Sequence, residues 1–317
     1  MTHAHPEVVT IGESMGLFFP PSGRPISSRP PFHLSFGGAE SNVAIGLARL
    51  GHRVTWVGRL GDDELGEFIN RELTAEGVTT PSLFGPSHTG IMVRGPKGLG
   101  RTAVQYARSG SAGASLTPAD LPVADIVSAR VLHLTGITAA LGPGPLETVL
   151  AAAAVARQAG VTVTLDLNYR ASLWSEDVAT PVLRKLTASA DVVFATTDEA
   201  AVLLGHPVTD IDDVAVAREV AALGPSQVII KRGAEGAIAL NGTVYTQHLT
   251  EVTECDPVGA GDAFAAGYIH GLLTSLGPQE CLDFAGLVAA HSVTVVGDWE
   301  GLPTLDELGA EHRDILR

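Results

Sequence analysis

The 317-residue chain is short of basic side chains: 20 Lys and Arg stand against 35 Asp and Glu, a formal net charge of −15. Phosphate backbones are held by clustered Lys and Arg, so this balance excludes nucleic acid as the main partner. If the substrates are anions, the few basic residues near the site must do the recognising. Cysteine is scarce as well. Cys255 and Cys281 cannot build a disulfide framework, and a reducing cytoplasm is the expected location. No apolar run of about 18 residues occurs, and Met1 to Pro6 lacks the basic-then-apolar order of an export signal, so neither a membrane partner nor secretion is expected. The histidines show no ligand spacing, and His3 and His5 are read as incidental. Aromatics are only 5% of the chain, so helices are expected to pack closely on a sheet through small residues.

What is present reads as globular: 45% of residues are hydrophobic and 17% charged, enough to bury a substantial core. The most informative stretch is Asp256-Pro257-Val258-Gly259-Ala260-Gly261-Asp262-Ala263-Phe264-Ala265-Ala266-Gly267. Its first half is turn-forming, and Ala263, Phe264, Gly267, Tyr268, Gly271 and Leu272 then recur at helical spacing. That pattern predicts a helix starting near Gly261. The amides of Gly259, Ala260 and Gly261 are unpaired at such a start and can bind an anion, and small residues let a phosphate approach. Asp262 is ill-suited to hold the anion itself. A carboxylate there fits a proton-bearing group that attacks the phosphate, which suggests phosphoryl transfer to a hydroxyl. For a bare Gly-x-Gly-Asp, a capped turn remains the plain alternative.

Along the chain, Val8 to Glu13 reads as a buried first strand, and residues 16–36 are too broken by proline for a helix. Gly37-Gly38-Ala39-Glu40-Ser41-Asn42 opens a helix carrying Val43, Leu47 and Leu50. A strand follows at 53–58 and a helix over 63–76. Strand-like segments near 79–84, 89–94 and 101–107, separated by Gly-Pro turns, predict a small antiparallel sheet set off from the body. From Val131 the rhythm becomes strand and helix in alternation: strands at 131–136, 161–167, 191–195 and 227–231, helices at 145–159, 176–187, 198–204 and 210–223. This predicts an α/β, doubly wound, mostly parallel sheet flanked by helices, with ligands at the carboxyl ends of its strands. Arg170, after Asp166-Leu167-Asn168-Tyr169, falls at such an end. Lys231-Arg232-Gly233-Ala234-Glu235-Gly236 is a basic, glycine-bearing turn before a strand at 237–240, and helices over 279–296 and 304–316 close the chain.

The 256–267 stretch resembles the carboxy-terminal signature of the ribokinase-like (PfkB) carbohydrate kinases. The string Gly37-Gly38-Ala39-Glu40-Ser41-Asn42-Val43-Ala44 is similar to their amino-terminal, sugar-binding signature. The resemblance spans essentially the whole chain. It implies a ribokinase-like fold, a single domain over 1–317 with a β-sheet lid formed from about 16–36 and 79–109, ATP and Mg²⁺, and phosphorylation of a sugar hydroxyl. It matches Asp262 to the catalytic base and Gly259, Ala260 and Gly261 to the anion hole. Lys231, Gly233 and Gly236 match the nucleotide-phosphate loop, with Arg232 beside it. Glu199 matches the glutamate that orders Mg²⁺ through water, where Thr196 replaces an asparagine. Gly38, Asn42 and the Asp63 region belong to the sugar side.

Within the family, Tyr106 to Ala112, Asp166 to Trp174 and Gly297 to Pro303 look like the corresponding strings of 2-keto-3-deoxygluconate kinases. That resemblance assigns Tyr106, Arg108 and Arg170 to the sugar acid, and an arginine fork suits a carboxylate. Two positions depart from it: Ala107 replaces a lid tyrosine, and Met92 stands where a tyrosine is usual. Fructokinase or another sugar kinase is therefore the alternative substrate reading, and a non-catalytic sugar or nucleotide sensor the alternative from outside enzymes. An exposed lid sheet could pair with a second copy, so a homo-oligomer is expected.

Overall fold

The computed structural model describes residues 5–20, 31–96, 102–206, 212–248 and 252–314. The chain begins with β1 (Val8–Ile11), β2 (Met15–Phe19) and β3 (His33–Gly37), then α1 (Ala39–Arg49), β4 (Val54–Val57), β5 (Arg59–Gly61) and α2 (Glu64–Ala75). Three short strands follow, β6 (Leu83–Gly85), β7 (Ile91–Pro96) and β8 (Thr102–Ala107). Next come α3 (Val123–Ser128), β9 (Val131–Thr135), α4 (Gly136–Ala139), α5 (Pro143–Ala159), β10 (Thr162–Asp166) and α6 (Glu176–Thr187). The last third holds β11 (Val192–Thr196), α7 (Thr197–Leu204), α8 (Asp213–Ala221), β12 (Gln227–Lys231), β13 (Ala237–Asn241) and β14 (Thr243–Gln247). It ends with α9 (Ala260–Thr274), α10 (Pro278–Ser292) and α11 (Leu305–Asp314).

Eight strands form the main sheet in the order β14-β13-β12-β11-β10-β9-β1-β4. Pairing is parallel from β12 to β4 and antiparallel only at β13 and β14. Successive side chains of a strand face opposite ways, and the apolar runs feed a core on each face. Val9, Leu132 and Val193 pack with Val149 of α5, Leu183 of α6 and Val220 of α8. Their neighbours Val8, Val131 and Val192 pack with Leu47 of α1, Ile69 of α2, Tyr268 of α9 and Leu282 of α10. This two-faced burial is why the strands read as continuous apolar runs rather than alternating ones.

The second sheet has four strands in the order β3-β2-β7-β8. Its outer pairings are antiparallel, and the middle pairing of β2 with β7 is parallel. The segment near 79–84 corrects the expected lid: β6 pairs with β5 instead, in a separate two-stranded ribbon. Three strand-like runs in a row look the same in sequence whether or not they share a sheet. Residues 21–30 and 97–101 of the expected lid, 210–211 of the helix expected over 210–223 and 315–316 of the one expected over 304–316 lie outside the described residues. The helix expected over 279–296 stops at Ser292, and Gly297, with φ +139, lies in the irregular segment that follows.

Leu183 is fully buried between α6 and the sheet. Leu183→Ala should cost about 3 kcal/mol through lost burial and a residual cavity, read as a lower urea midpoint with an unchanged slope.

Candidate active site

The site grows from the start of α9. Gly259 is its N-cap, with φ +80, a left-handed conformation that glycine adopts freely. A Cβ there would also run into the Asp298 carbonyl, so the position admits no side chain. Among the described residues, the amides of Gly259, Gly261 and Asp262 have no acceptor, whereas the Ala260 amide makes a long 3.3 Å bond to the Pro257 carbonyl. Two of the three expected anion-binding amides are therefore free, and that of Asp262 joins them at the positive end of a helix.

The floor beneath these amides is cationic. Lys231 Nζ lies 3.5 Å from the point where a Cβ on Gly261 would stand, and 2.6 Å from Asp166 at the end of β10. Burial works against the Lys231 charge, but Asp166, Glu199 and Asp262 outweigh it and raise its pKa, so it stays an ammonium ion. Arg232 turns away to Asp213, 3.8 Å distant.

Asp262 forms part of the wall of a cleft. Burial pushes its pKa up to about 7, against the Asn42 amide, which donates to Oδ2 at 2.8 Å and lowers it. Gly38, Asn42, Tyr106, Arg108, Arg170 and Asp262 all line this one cleft, of about 680 Å³ counting its open mouth. Tight packing at the head of α1 helps close it: a Cβ on Gly38 would strike the Glu13 carbonyl. Arg108 reaches the cleft already paired, with Nη2 2.5 Å from buried Glu13 and its guanidinium 5.5 Å from the Tyr106 ring. Ser111 also donates to Glu13, at 2.5 Å. Arg170 is half exposed, 3.7 Å from Glu199. Met92 lines the cleft, while Ala107 is exposed and does not.

Sequence reasoning missed Glu13, Asn168 and Asp298 as lining residues. Glu13 and Asn168 follow the carboxyl ends of β1 and β10, a positional signal that was available. Asn168 also has φ +39, a conformation asparagine tolerates better than most residues. Asp298 had no such signal, because its place depends on packing after α10.

A second cleft, of about 740 Å³ and mostly apolar, is lined by Gly233 and Gly236 together with Pro257, Ala260, Phe264 and Val293. Residues 257–262 thus form a wall with a polar cleft on one side and an apolar one on the other. Glu199 lies in a neighbouring groove shared with Arg170. It closes a capping box on α7, its Oε2 accepting from the Thr196 amide at 2.8 Å and the Thr196 hydroxyl accepting from the Glu199 amide at 3.2 Å. Burial raises the Glu199 pKa, against the charge of Lys231.

Asp63 needs correcting. It is absent from the cleft lining and instead caps α2, accepting from the Gly66 amide at 2.8 Å and from the Thr89 amide and hydroxyl at 2.8 and 2.7 Å. Those donors occupy its oxygens and, against a burial effect of opposite sign, lower its pKa.

The sequence profile of the pfkB family carbohydrate kinases matches residues 5–305. The chain belongs to that family. A 2-dehydro-3-deoxygluconokinase of Bacillus subtilis is 35% identical, over 96% of this chain and 94% of its own. The crystal structure of a 2-dehydro-3-deoxygluconokinase from Thermotoga maritima superposes with a TM-score of 0.89 at 30% identity, covering 98% of this chain and 99% of that one. An uncharacterized sugar kinase from Pyrococcus horikoshii, solved with ATP, gives a TM-score of 0.82 at 27% identity, covering 95% of this chain and 96% of that one. This PfkB member has the ribokinase-like fold and is a sugar kinase that uses ATP. Among the described residues, no helix is long and apolar enough to cross a membrane.

Because Asp63 is a cap, Asp63→Ala should destabilise the kinase by about 1 kcal/mol and lower its Tm, while the KM for sugar stays at the wild-type value.

Proposed function

We propose that this PfkB kinase phosphorylates the terminal primary hydroxyl of a sugar acid, 2-keto-3-deoxygluconate, giving the 6-phosphate. One observation carries the reading: Arg108 and Arg170 line the same cleft as Asp262, so a substrate carboxylate and a reacting hydroxyl can be held at once. The names of the Bacillus subtilis and Thermotoga maritima relatives support it.

Asp262 takes the proton from the substrate hydroxyl, and that oxygen bonds to the γ-phosphorus of ATP as the bond to the bridging oxygen of ADP breaks. The free amides of Gly259, Gly261 and Asp262, with Lys231 beneath them, balance charge on the moving phosphoryl group. The purine fits the apolar cleft beside Phe264 and Val293, and Gly233 and Gly236 let backbone approach the nucleotide. Mg²⁺ fits as well: Glu199 spends Oε2 on the Thr196 amide, and its Oε1, 3.7 Å from Arg170, lies at the groove. One carboxylate, phosphate oxygens and water suit this ion, which supplies charge neutralisation at the phosphates. We assign the enzyme to the cytoplasm, and the exposed Phe32 and Leu34 beside and within β3 of the lid favour a homo-oligomer.

A second reading has its own support. Glu13 already neutralises Arg108, leaving Arg170, half exposed and 3.7 Å from Glu199, as the more available cation, and Met92 in the wall alters the pocket. Both features suit a neutral sugar such as fructose. ATP-dependent phosphorylation of 2-keto-3-deoxygluconate, its 4-epimer, fructose, ribose and gluconate by wild type and Arg170→Ala separates the two. The expected result is a strong preference for a keto-acid that the mutation removes. Preference for fructose, indifferent to the mutation, selects the second reading.

Asp262→Asn should leave substrate binding largely intact and cut turnover by roughly 100-fold or more. In wild type, kcat/KM should vary inversely with proton concentration below about pH 7 and level off above it, because the base must be ionised. The same raised pKa means that Asp262 favours folding while protonated and that this contribution is lost as pH rises through about 7. Asp262→Asn should accordingly raise Tm relative to wild type at pH 8.

A further inference from the structure

Arg94 lines neither cleft, yet it is among the most deeply buried charges of the protein, at 5% exposure. It projects from lid strand β7, with its guanidinium 5.0 Å over the ring of Phe19 on β2. The guanidinium bridges two carboxylates that lie far from the lid in sequence: Nη2 is 2.8 Å from Asp256, and Nη1 is 3.2 Å from Asp298. Both belong to segments that shape the anion-binding turn. Asp256 accepts from the amides of Val258 at 3.3 Å and Gly297 at 3.2 Å, which fixes the backbone just before Gly259. Asp298 supplies the carbonyl against which Gly259 packs, and its carboxylate packs against Gly37 at the end of β3. The next two residues continue the contact with the lid: the Trp299 indole donates to the Phe36 carbonyl at 3.1 Å, and Ser35 donates to Glu300.

A guanidinium fork matches two carboxylates as an ammonium ion does not, and two buried carboxylates side by side repel each other unless a cation lies between them. Burial raises the Asp298 pKa to about 7, and Arg94 is the group that opposes it.

We propose that Arg94 is a positioning residue for phosphoryl transfer. From the lid it fixes the 256–259 turn, and through that turn the amides of Gly259, Gly261 and Asp262, so that the anion hole is set where β7 is seated. The inference rests on the assignment of those amides to the transferring phosphoryl group.

The test compares wild type with Arg94→Met, Arg94→Lys, Asp298→Asn and the double variant Arg94→Met/Asp298→Asn. Steady-state kinetics use whichever acceptor the wild type phosphorylates, and hydrogen exchange follows the peptide spanning 254–264. In Arg94→Met, kcat should fall roughly 100-fold while the KM for sugar stays within about threefold. Arg94→Lys should recover part of the loss, and exchange across 254–264 should quicken in both. The double variant, relieved of one unpaired carboxylate, should regain the Tm of Asp298→Asn without regaining its kcat. Recovery of kcat together with Tm, or a kcat in Arg94→Met within about threefold of wild type, overturns the proposal and leaves Arg94 a structural charge. If Arg94→Met does not fold, Arg94→Lys carries the test, and unchanged exchange of the 254–264 amides there overturns it. Exchange needs no substrate. A wild type that phosphorylates none of the acceptors sinks the substrate reading alone, and quickened exchange in the Arg94 variants still upholds the positioning role.

Discussion

The start of α9 places two opposed demands on a few atoms. Free amides at a helix N-terminus favour negative charge, which by itself would hold Asp262 ionised and its pKa low. Burial against the cleft wall works the other way and wins, bringing the carboxyl to about 7. A base of that strength can take a proton near neutral pH and give it up again. Lys231 completes the balance: paired with Asp166, it supplies positive charge under the turn. The glycine at 259 is what permits this geometry, because a side chain there would meet the Asp298 carbonyl.

The rest of the fold serves that turn. Parallel strands end together at one edge of the sheet, so Asp166 and Lys231, distant in sequence, arrive 2.6 Å apart, and Glu13 falls at the same edge. Helix α9 lies on the sheet face held by α1 and α10, and its first residues divide a polar cleft from an apolar one. On the proposed reading, a sugar and a purine approach the same amides from opposite sides of this wall.

The sequence disclosed the parts whose chemistry is local. Apolar runs between helical periods announced the parallel strands, and the glycines of 256–262 announced the helix start and its free amides. Gly38, Asn42, Tyr106, Arg108, Arg170 and Asp262, named from motifs in separate segments, line one cleft. What escaped was pairing at a distance. The run near 79–84 yields only the short strand Leu83–Gly85, and whether it joined β2 or β5 depended on packing that no neighbouring residue encodes. Asp63 carries the same carboxylate whether it binds sugar or caps a helix, and only the position of Thr89 decides. Arg94 looks like an ordinary strand arginine until Asp256 and Asp298 come to meet it.

The parallel contact of β2 with β7 at the middle of the lid bears on how the protein is made. Two parallel strands cannot be closed by a tight hairpin, and here α1, β4, β5 and α2 intervene along the chain. Forming that sheet therefore carries the loop-closure entropy of a long excursion. During synthesis β2 and β3 emerge early as a bare hairpin and wait for their central partner. The second sheet is therefore not a local unit, and Tyr106 and Arg108 of its far end join the cleft wall only through strands made long after β2.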